Sequence, residues 1–210
     1  MPDLVYLDEP KLLFRFEQSM IDPRDGLSLF GPLERAKPHG IRWAVIGPKG
    51  SIRHVKNWIQ RISGPIISGT NFVARPIFPG FEAAFSTKFS ADPALECEIS
   101  ENDLYNHAHN ADRHQRVFRS VDLYSSRLER AHLSEDVSPD LWFVVIPEYV
   151  YTNCRPLSTV NSSFKTEPDN RMTRREARDL QKQPSLFADV NSLAEEYLYD
   201  VNFHNQLKAR

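Results

Sequence analysis

Apolar positions along this chain follow two periods and switch between them several times. LLFRFEQ, Leu12 to Gln18, alternates as a strand does. DPRDGLSLFGPL, Asp22 to Leu33, is rich in turn residues; Pro23 and Gly26 suit one tight turn and Gly31-Pro32 another, so this stretch reads as an extended arm. GIRWAVIG, Gly40 to Gly47, is a short β-rich run bounded by glycines and predicts a buried strand. Past PKGS, Ile52, Val55, Ile59 and Ile62 recur at helical spacing until Gly64-Pro65 ends the pattern. Strand, glycine-containing turn and helix make the first half of a βαβ unit.

The second half of the chain repeats this alternation. RPIFPGFEAAF predicts an ordered loop leading into a short helical turn, and ALECEIS a second strand. A long helix follows, opened by Ser100 with Asp103 in its first turn and carrying the stripe Val117, Val121, Tyr124 and Leu128. Pro139 breaks it. DLWFVVIPE, Asp140 to Glu148, is apolar on both faces, which is how a central parallel strand reads. Ser158 to Asn170 is a polar loop, and Thr173 with Glu176 forms a capping box for a helix ending before Pro184. Asn191 or Ser192, with Glu195, caps one last helix, LAEEYLYDVNFHNQLKAR. The expected fold is α/β, with a mostly parallel central sheet flanked by helices behind the N-terminal arm.

Composition narrows the function classes. The 210 residues are 26% charged with a net charge of -2, so any nucleic-acid surface must be local. Cys97 and Cys154 are the two cysteines and lack a CxxC partner, which argues against a zinc knuckle or disulfide framework and favours a reducing, cytoplasmic setting. The segment MPDLVYLDEP carries acids where a signal peptide needs bases, and no apolar run is long enough to span a membrane.

Several constellations could carry chemistry. Gly47-Pro48-Lys49-Gly50-Ser51 lies between strand and helix, where N–H groups and the helix dipole can bind a phosphate, but both GxGxxG and the Walker spacing are absent, and a plain connection with Ser51 as cap is expected. His107, His109 and His114 cluster with Asp112, but their spacing does not converge on a metal, and a solvated helix face is expected. Asp22, Arg24 and Asp25 fit turn formation better than acid–base chemistry. No catalytic set emerges and GxSxG is absent, so an enzyme is not expected. Arg174, Arg175, Arg178 and Lys182 lie along one helix flank, suited to a phosphate backbone or to solvent. On the last helix, Leu193, Tyr197 and Val201 form an apolar line that continues into His204 and Lys208. An imidazole and an ammonium beside apolar surface call for an anionic partner, for which a phosphate serves; they also complement a helix C-terminus.

The succession DPRDGLSLFGPL, IRWAVIGPKGSIRHVKNWIQ, IFPGF, DLWFVVIPE and FHNQLKAR resembles prokaryotic Argonaute proteins, especially the short ones built from MID and PIWI domains. The likeness covers most of the chain and rests on the order of these segments. It implies an arm over residues 1–39 and a Rossmann-like MID domain over 40–210 that anchors the 5′ end of a guide strand. The family's phosphate pocket opens with Tyr or His and a Lys four residues on, which His204 and Lys208 match. Its next members, with the PIWI domain, would lie beyond Arg210, leaving the MID domain incomplete at its C-terminus. Tyr149 or Tyr151 would stack on the first base, and Arg174, Arg175, Arg178 and Lys182 would contact backbone or partner. The resemblance further implies a guide RNA or DNA, complementary target DNA, an APAZ-containing effector protein, a role in prokaryotic defence, no slicing, and a divalent cation accompanying the guide phosphate in the intact protein. The other readings are a subunit that docks the effector without a guide, and an α/β nucleotide-binding enzyme using the turn at Lys49.

Overall fold

The computed structural model describes residues 9–34, 37, 39–67, 77–133, 138–158, 172–182 and 194–210. Its elements are β1 (Leu12–Leu13), β2 (Ser19–Met20), α1 (Pro23–Phe30), β3 (Trp43–Pro48), α2 (Lys49–Ser63), α3 (Phe81–Phe85), β4 (Leu95–Ile99), α4 (Glu101–Ala108), α5 (Arg113–Leu133), β5 (Leu141–Val144), α6 (Glu148–Asn153), α7 (Arg174–Lys182) and α8 (Phe203–Ala209). The protein is mixed α/β, with a three-stranded parallel sheet of order β4-β3-β5 flanked by helices. Every residue of β3 is buried. Its unbroken apolar run suits a strand covered on both faces. Among the described residues β5, expected at the centre, lies at the edge of the sheet and is only partly buried. Its apolar run signals burial, but the neighbours that decide centre from edge are set by topology.

The described residues fall into two compact units. One lies within Met1–Ala44, His54–Ala94 and Pro139–Trp142, the other within Val45–Arg53, Leu95–Ser138 and Phe143–Arg210. In the first unit, β1 and β2 pair antiparallel, Leu12 with Met20 and Leu13 with Ser19. The expected single strand is therefore a hairpin, turned by Phe16 and Glu17 at φ 59° and 58°. The expected loop after it is helix α1. Asp22 caps it, Oδ1 accepting from the backbone N–H of Arg24 at 2.9 Å and Asp25 at 3.4 Å, with Pro23 at the first helical position. Gly26 seats that helix on the buried ring of Phe14, because a Cβ there would stand 2.2 Å from ring atoms. Asp140 accepts from the Arg42 backbone N–H at 2.8 Å and from the Lys37 ammonium. The Lys37 hydrogen bond, with that of Arg42, holds its carboxyl below the usual range.

In the second unit α5 is the main packing element, burying Val117, Ser120, Val121 and Tyr124. The long helix expected from Ser100 is two helices. Ser100 does cap the first, accepting from Asp103 N at 3.4 Å. Asp112 restarts the second, its Oδ1 accepting from His114 N at 2.8 Å and Gln115 N at 3.2 Å. The buried Arg116 side chain satisfies the interruption by donating to the carbonyls of Asn110 (2.6 Å), Ala111 (3.3 Å) and Asn153 (3.1 Å). The Thr173–Glu176 capping box is present: Glu176 Oε2 accepts from Thr173 N at 2.6 Å, and Thr173 Oγ1 from Glu176 N at 3.3 Å.

The expected last helix is also interrupted. Residues 194–196 form a helical turn, and α8 begins afresh at Phe203. Tyr197 is diverted to donate its hydroxyl to Asp112 Oδ2 at 2.6 Å, and Asn202 caps the restart, accepting from His204 N at 3.0 Å and Asn205 N at 3.3 Å. The continuous line from Tyr197 to Lys208 therefore does not exist. Leu193, the alternative caps Asn191 and Ser192, Pro184, and the loop from residue 159 onward lie outside the described residues.

Candidate functional site

The second unit carries a cleft of about 510 Å3 beyond the end of β5, where ligands commonly meet open parallel sheets. Ile146 contributes from the strand end, Tyr151 from α6, Arg155 and Leu157 from the segment after it, and Asn202 and His204 from the start of α8. Val150 and Asn153 anchor α6 by their burial, and Asn153 Nδ2 donates to the Ala108 carbonyl at 3.1 Å. That leaves Tyr151 outward, 56% exposed. Phe203 anchors α8: it is 2% exposed and meets the Tyr124 ring edge-on at 5.3 Å. Tyr124 in turn donates its hydroxyl to the Val145 carbonyl at 2.8 Å, and burial raises its pKa. Gly47 makes room there, since a Cβ would lie 3.0 Å from that of Val145.

The two sides of the cleft are joined through the main chain. Phe203 N–H donates to the Cys154 carbonyl at 3.0 Å. Cys154 is buried, its thiol pushed up to about 11 by burial and 3.8 Å from Ser120 Oγ, so it packs rather than reacts. Across the cleft the Tyr151 and His204 rings stand 6.3 Å apart, and the Arg155 guanidinium lies 5.5 Å from the Tyr151 ring centroid. Among the described residues no Asp or Glu lines the cleft. A cation, an imidazole, a tyrosine ring and an apolar floor suit an anion attached to a planar group.

His204 and Lys208 are both exposed and, four residues apart, share one face of α8; His204 reaches the cleft while Lys208 lies one turn further on. Tyr149 and Tyr151 point differently. Tyr149 packs on Tyr105 at 5.4 Å and His109 at 6.0 Å, and burial, with Glu101 nearby, pushes its hydroxyl up to about 12. Arg174, Arg175, Arg178 and Lys182 are exposed on α7, which buries Ala177 against Ala194 and Tyr197; none of the four lines the cleft.

Helix α2 starts at Lys49, so Ser51 lies inside its first turn rather than before it. The histidine cluster is not a solvated face throughout. Asp112 is buried as a helix cap, and His114 is half-buried 5.1 Å from the Tyr197 ring, its pKa lowered by burial. His109 ends α4 with Nδ1 2.8 Å from the Tyr105 carbonyl. Among the described residues no three His, Cys, Asp or Glu side chains converge as a metal site would need, and no helix is long and apolar enough to cross a membrane.

Sequence reasoning missed Arg155 and Asn202. Arg155 follows α6 outside any periodic pattern, so its place beside Tyr151 had no signal. Asn202 had one, since an Asn before an apolar residue is a helix-start signature. A comparison with protein-family models finds no match to this chain, and neither does a comparison with curated proteins.

Proposed function

We propose that the cleft between α6 and α8 captures the 5′-phosphorylated end of a small guide nucleic acid, as the MID region of a short prokaryotic Argonaute would. The observation that carries this reading is the approach of Tyr151 and His204 to 6.3 Å across a cleft that Arg155 also lines. His204 and Arg155 receive the phosphate, with Lys208 adding charge from the same helix face. The apolar floor takes the sugar, and the first base stacks on Tyr151. Of the two tyrosines, the orientation of Tyr149 favours Tyr151. The act is capture without bond breaking, contributing to guide-directed recognition of invading DNA in prokaryotic defence. A divalent cation alongside the phosphate, a complementary DNA target and an APAZ-containing effector follow from the same resemblance. The exposed row on α7 suits contact with backbone or effector.

The test compares 5′-phosphorylated and 5′-hydroxyl oligonucleotides of one sequence by fluorescence anisotropy. The expected preference for phosphate is about tenfold or more, the worth of one or two charge-assisted hydrogen bonds. His204→Ala and Lys208→Ala should each reduce it. Equal affinity of the wild-type protein for both oligonucleotides refutes the reading.

A further inference from the structure

In the second unit, His114 lies in the first turn of α5, its backbone N–H bonded to the capping carboxylate of Asp112. Its ring rests 5.1 Å from that of Tyr197, and its Nδ1 is buried with no hydrogen-bond partner. Tyr197 donates its hydroxyl to the other oxygen of Asp112, Oδ2, at 2.6 Å, and the Gln115 side chain hydrogen-bonds the same hydroxyl. Tyr197 also forms a small core with Ala177 of α7 and Ala194, against which Leu180 and Leu198 pack. It therefore ties α7 to the start of α5. The charged groups facing the imidazole are Asp112 and Arg113 from α5 and Arg174 from α7, while Glu196 adds a carboxyl near the Tyr197 hydroxyl. A cleft of about 380 Å3 lined by Asp112, Arg113, His114 and Tyr197 gives the ring space to turn and water a route to it.

We propose that His114 is an acid-sensitive latch: on taking up a proton its ring leaves Tyr197 for the Asp112 carboxylate, and Tyr197, with the α7 core it holds, undocks from α5. A neutral imidazole can leave one buried nitrogen unpartnered at modest cost, whereas an imidazolium carries two N–H donors and a charge. In its present position the Nδ1–H would meet no acceptor, and Arg113 and Arg174 oppose the charge. Asp112 is the acid that faces the ring, and its Oδ2 is the oxygen that Tyr197 occupies. A bond from an imidazolium to that oxygen is stronger than one from a phenol, so the two side chains compete for it and the proton decides. Burial holds the docked ring below the ordinary histidine value of 6.5. Turned out to Asp112 and water, it titrates at that value or above. The undocked state binds the proton more tightly, and falling pH favours it. Each pH unit below 6.5 shifts the balance by up to about tenfold. Helix α8 is held separately, by Phe203 on Tyr124 and Arg210 on Asp122, and stays in place. The latch is a property of the fold and requires nothing of the candidate phosphate cleft.

The experiment is hydrogen-exchange mass spectrometry of the full chain at about pH 7.5 and about pH 5.5, with rates corrected for the intrinsic effect of pH. Exchange in α7 and at residues 194–198 should rise about three- to tenfold at the lower pH, while α8 and the middle of α5 stay unchanged. His114→Phe keeps a ring for the stack on Tyr197 and cannot take a proton, so it should abolish the rise. Circular dichroism melts at the higher pH confirm that this variant folds. Proton NMR of the wild-type protein gives a second readout that needs no variant to fold: the His114 ring should titrate below 6.5, at the pH where α7 loosens. A wild-type rise below about twofold, or an equal rise in α8, overturns the proposal. So does a rise in His114→Phe as large as in wild type, or a His114 titration at or above 6.5 with α7 still protected.

Discussion

Phe203 decides whether α8 holds its place, and with it His204. Its ring is buried edge-on against Tyr124, and its backbone N–H bonds Cys154. Truncation to alanine should cost about 3–5 kcal/mol, since a fully buried phenylalanine leaves a cavity that its neighbours fill only in part. Against a total stability of about 5–15 kcal/mol that loss is large, so the informative variant is Phe203→Leu. It keeps most of the apolar volume and loses the aromatic pair, for about 1–2 kcal/mol. Tyr124→Phe is its companion. That change keeps the ring against Phe203 and deletes only the hydroxyl bond to Val145, for about 1 kcal/mol. Urea denaturation followed by circular dichroism measures both losses, and oligonucleotide anisotropy reads the site. Phe203→Leu should reduce the preference for 5′-phosphate, because the turn carrying His204 loses its seat; Tyr124→Phe should leave it intact at a similar stability cost. A loss below about 0.5 kcal/mol for Phe203→Leu would refute the anchoring argument, being too small for a buried aromatic contact. An equal fall in phosphate preference in both variants would refute it too.

Gly26→Ala should destabilise the arm by about 1–3 kcal/mol, because its Cβ would meet the Phe14 ring at 2.2 Å; on helix propensity alone the change would be favourable, so the sign measured by thermal melting tests the contact. Arg116→Met removes the donor that three backbone carbonyls share and should cost about 3 kcal/mol in urea denaturation, whereas a neutral result would mean those carbonyls find other donors. Burial raises the Glu196 carboxyl above its ordinary 4.5, Arg119 opposing. The folded protein then holds that proton more tightly than the unfolded chain, so this group's contribution to stability is lost as pH rises above the ordinary carboxylate range. Glu196→Gln should therefore gain in melting temperature relative to wild type as pH rises above about 4.5, and a difference independent of pH would contradict the assignment.

The parts of the fold visible in sequence were those with a strong period and few tertiary demands. GIRWAVIG and the isoleucine stripe of α2 needed only local pattern. DLWFVVIPE was equally clear as a strand, but its rank in the sheet depends on which neighbours pair with it. Helix α1 was legible in principle, since Asp22-Pro23 is a cap followed by the favoured first helical residue. Gly26 and Gly31 weighed toward a loop, and the reason for Gly26, the Phe14 ring, appears only in three dimensions. The two tyrosines after β5 could have been separated from sequence as well. Residues two apart on a helix lie on nearly opposite faces, so Tyr149 and Tyr151 could not both meet one ligand. The meeting of His114 with Tyr197 was hidden for a different reason, because Tyr197 comes to Asp112 from 85 residues away in sequence.

The interruption at residues 197–202 builds the cleft. A helix running unbroken from residue 194 to Arg210 would have satisfied its own N–H groups and left Phe203 N–H unavailable to Cys154. Because α8 starts again at Asn202, two early N–H groups turn to the Asn202 side chain and that of Phe203 turns to the segment bearing Arg155. Gln206 secures the break by donating to the Asp200 carbonyl at 2.9 Å, and Asn205 by donating to the Asp200 carboxylate at 2.9 Å. At the far end Arg210 pairs with Asp122 at 2.7 Å and lies 4.5 Å from the Phe118 ring centroid, fixing α8 along α5. A seven-residue helix too short to be stable alone is thus held at both ends by groups outside it. The histidine and lysine that the sequence aligns as one face owe their common direction to those ties, and a change at Asp200 or Asn202 would reach the cleft without touching a residue that lines its far side.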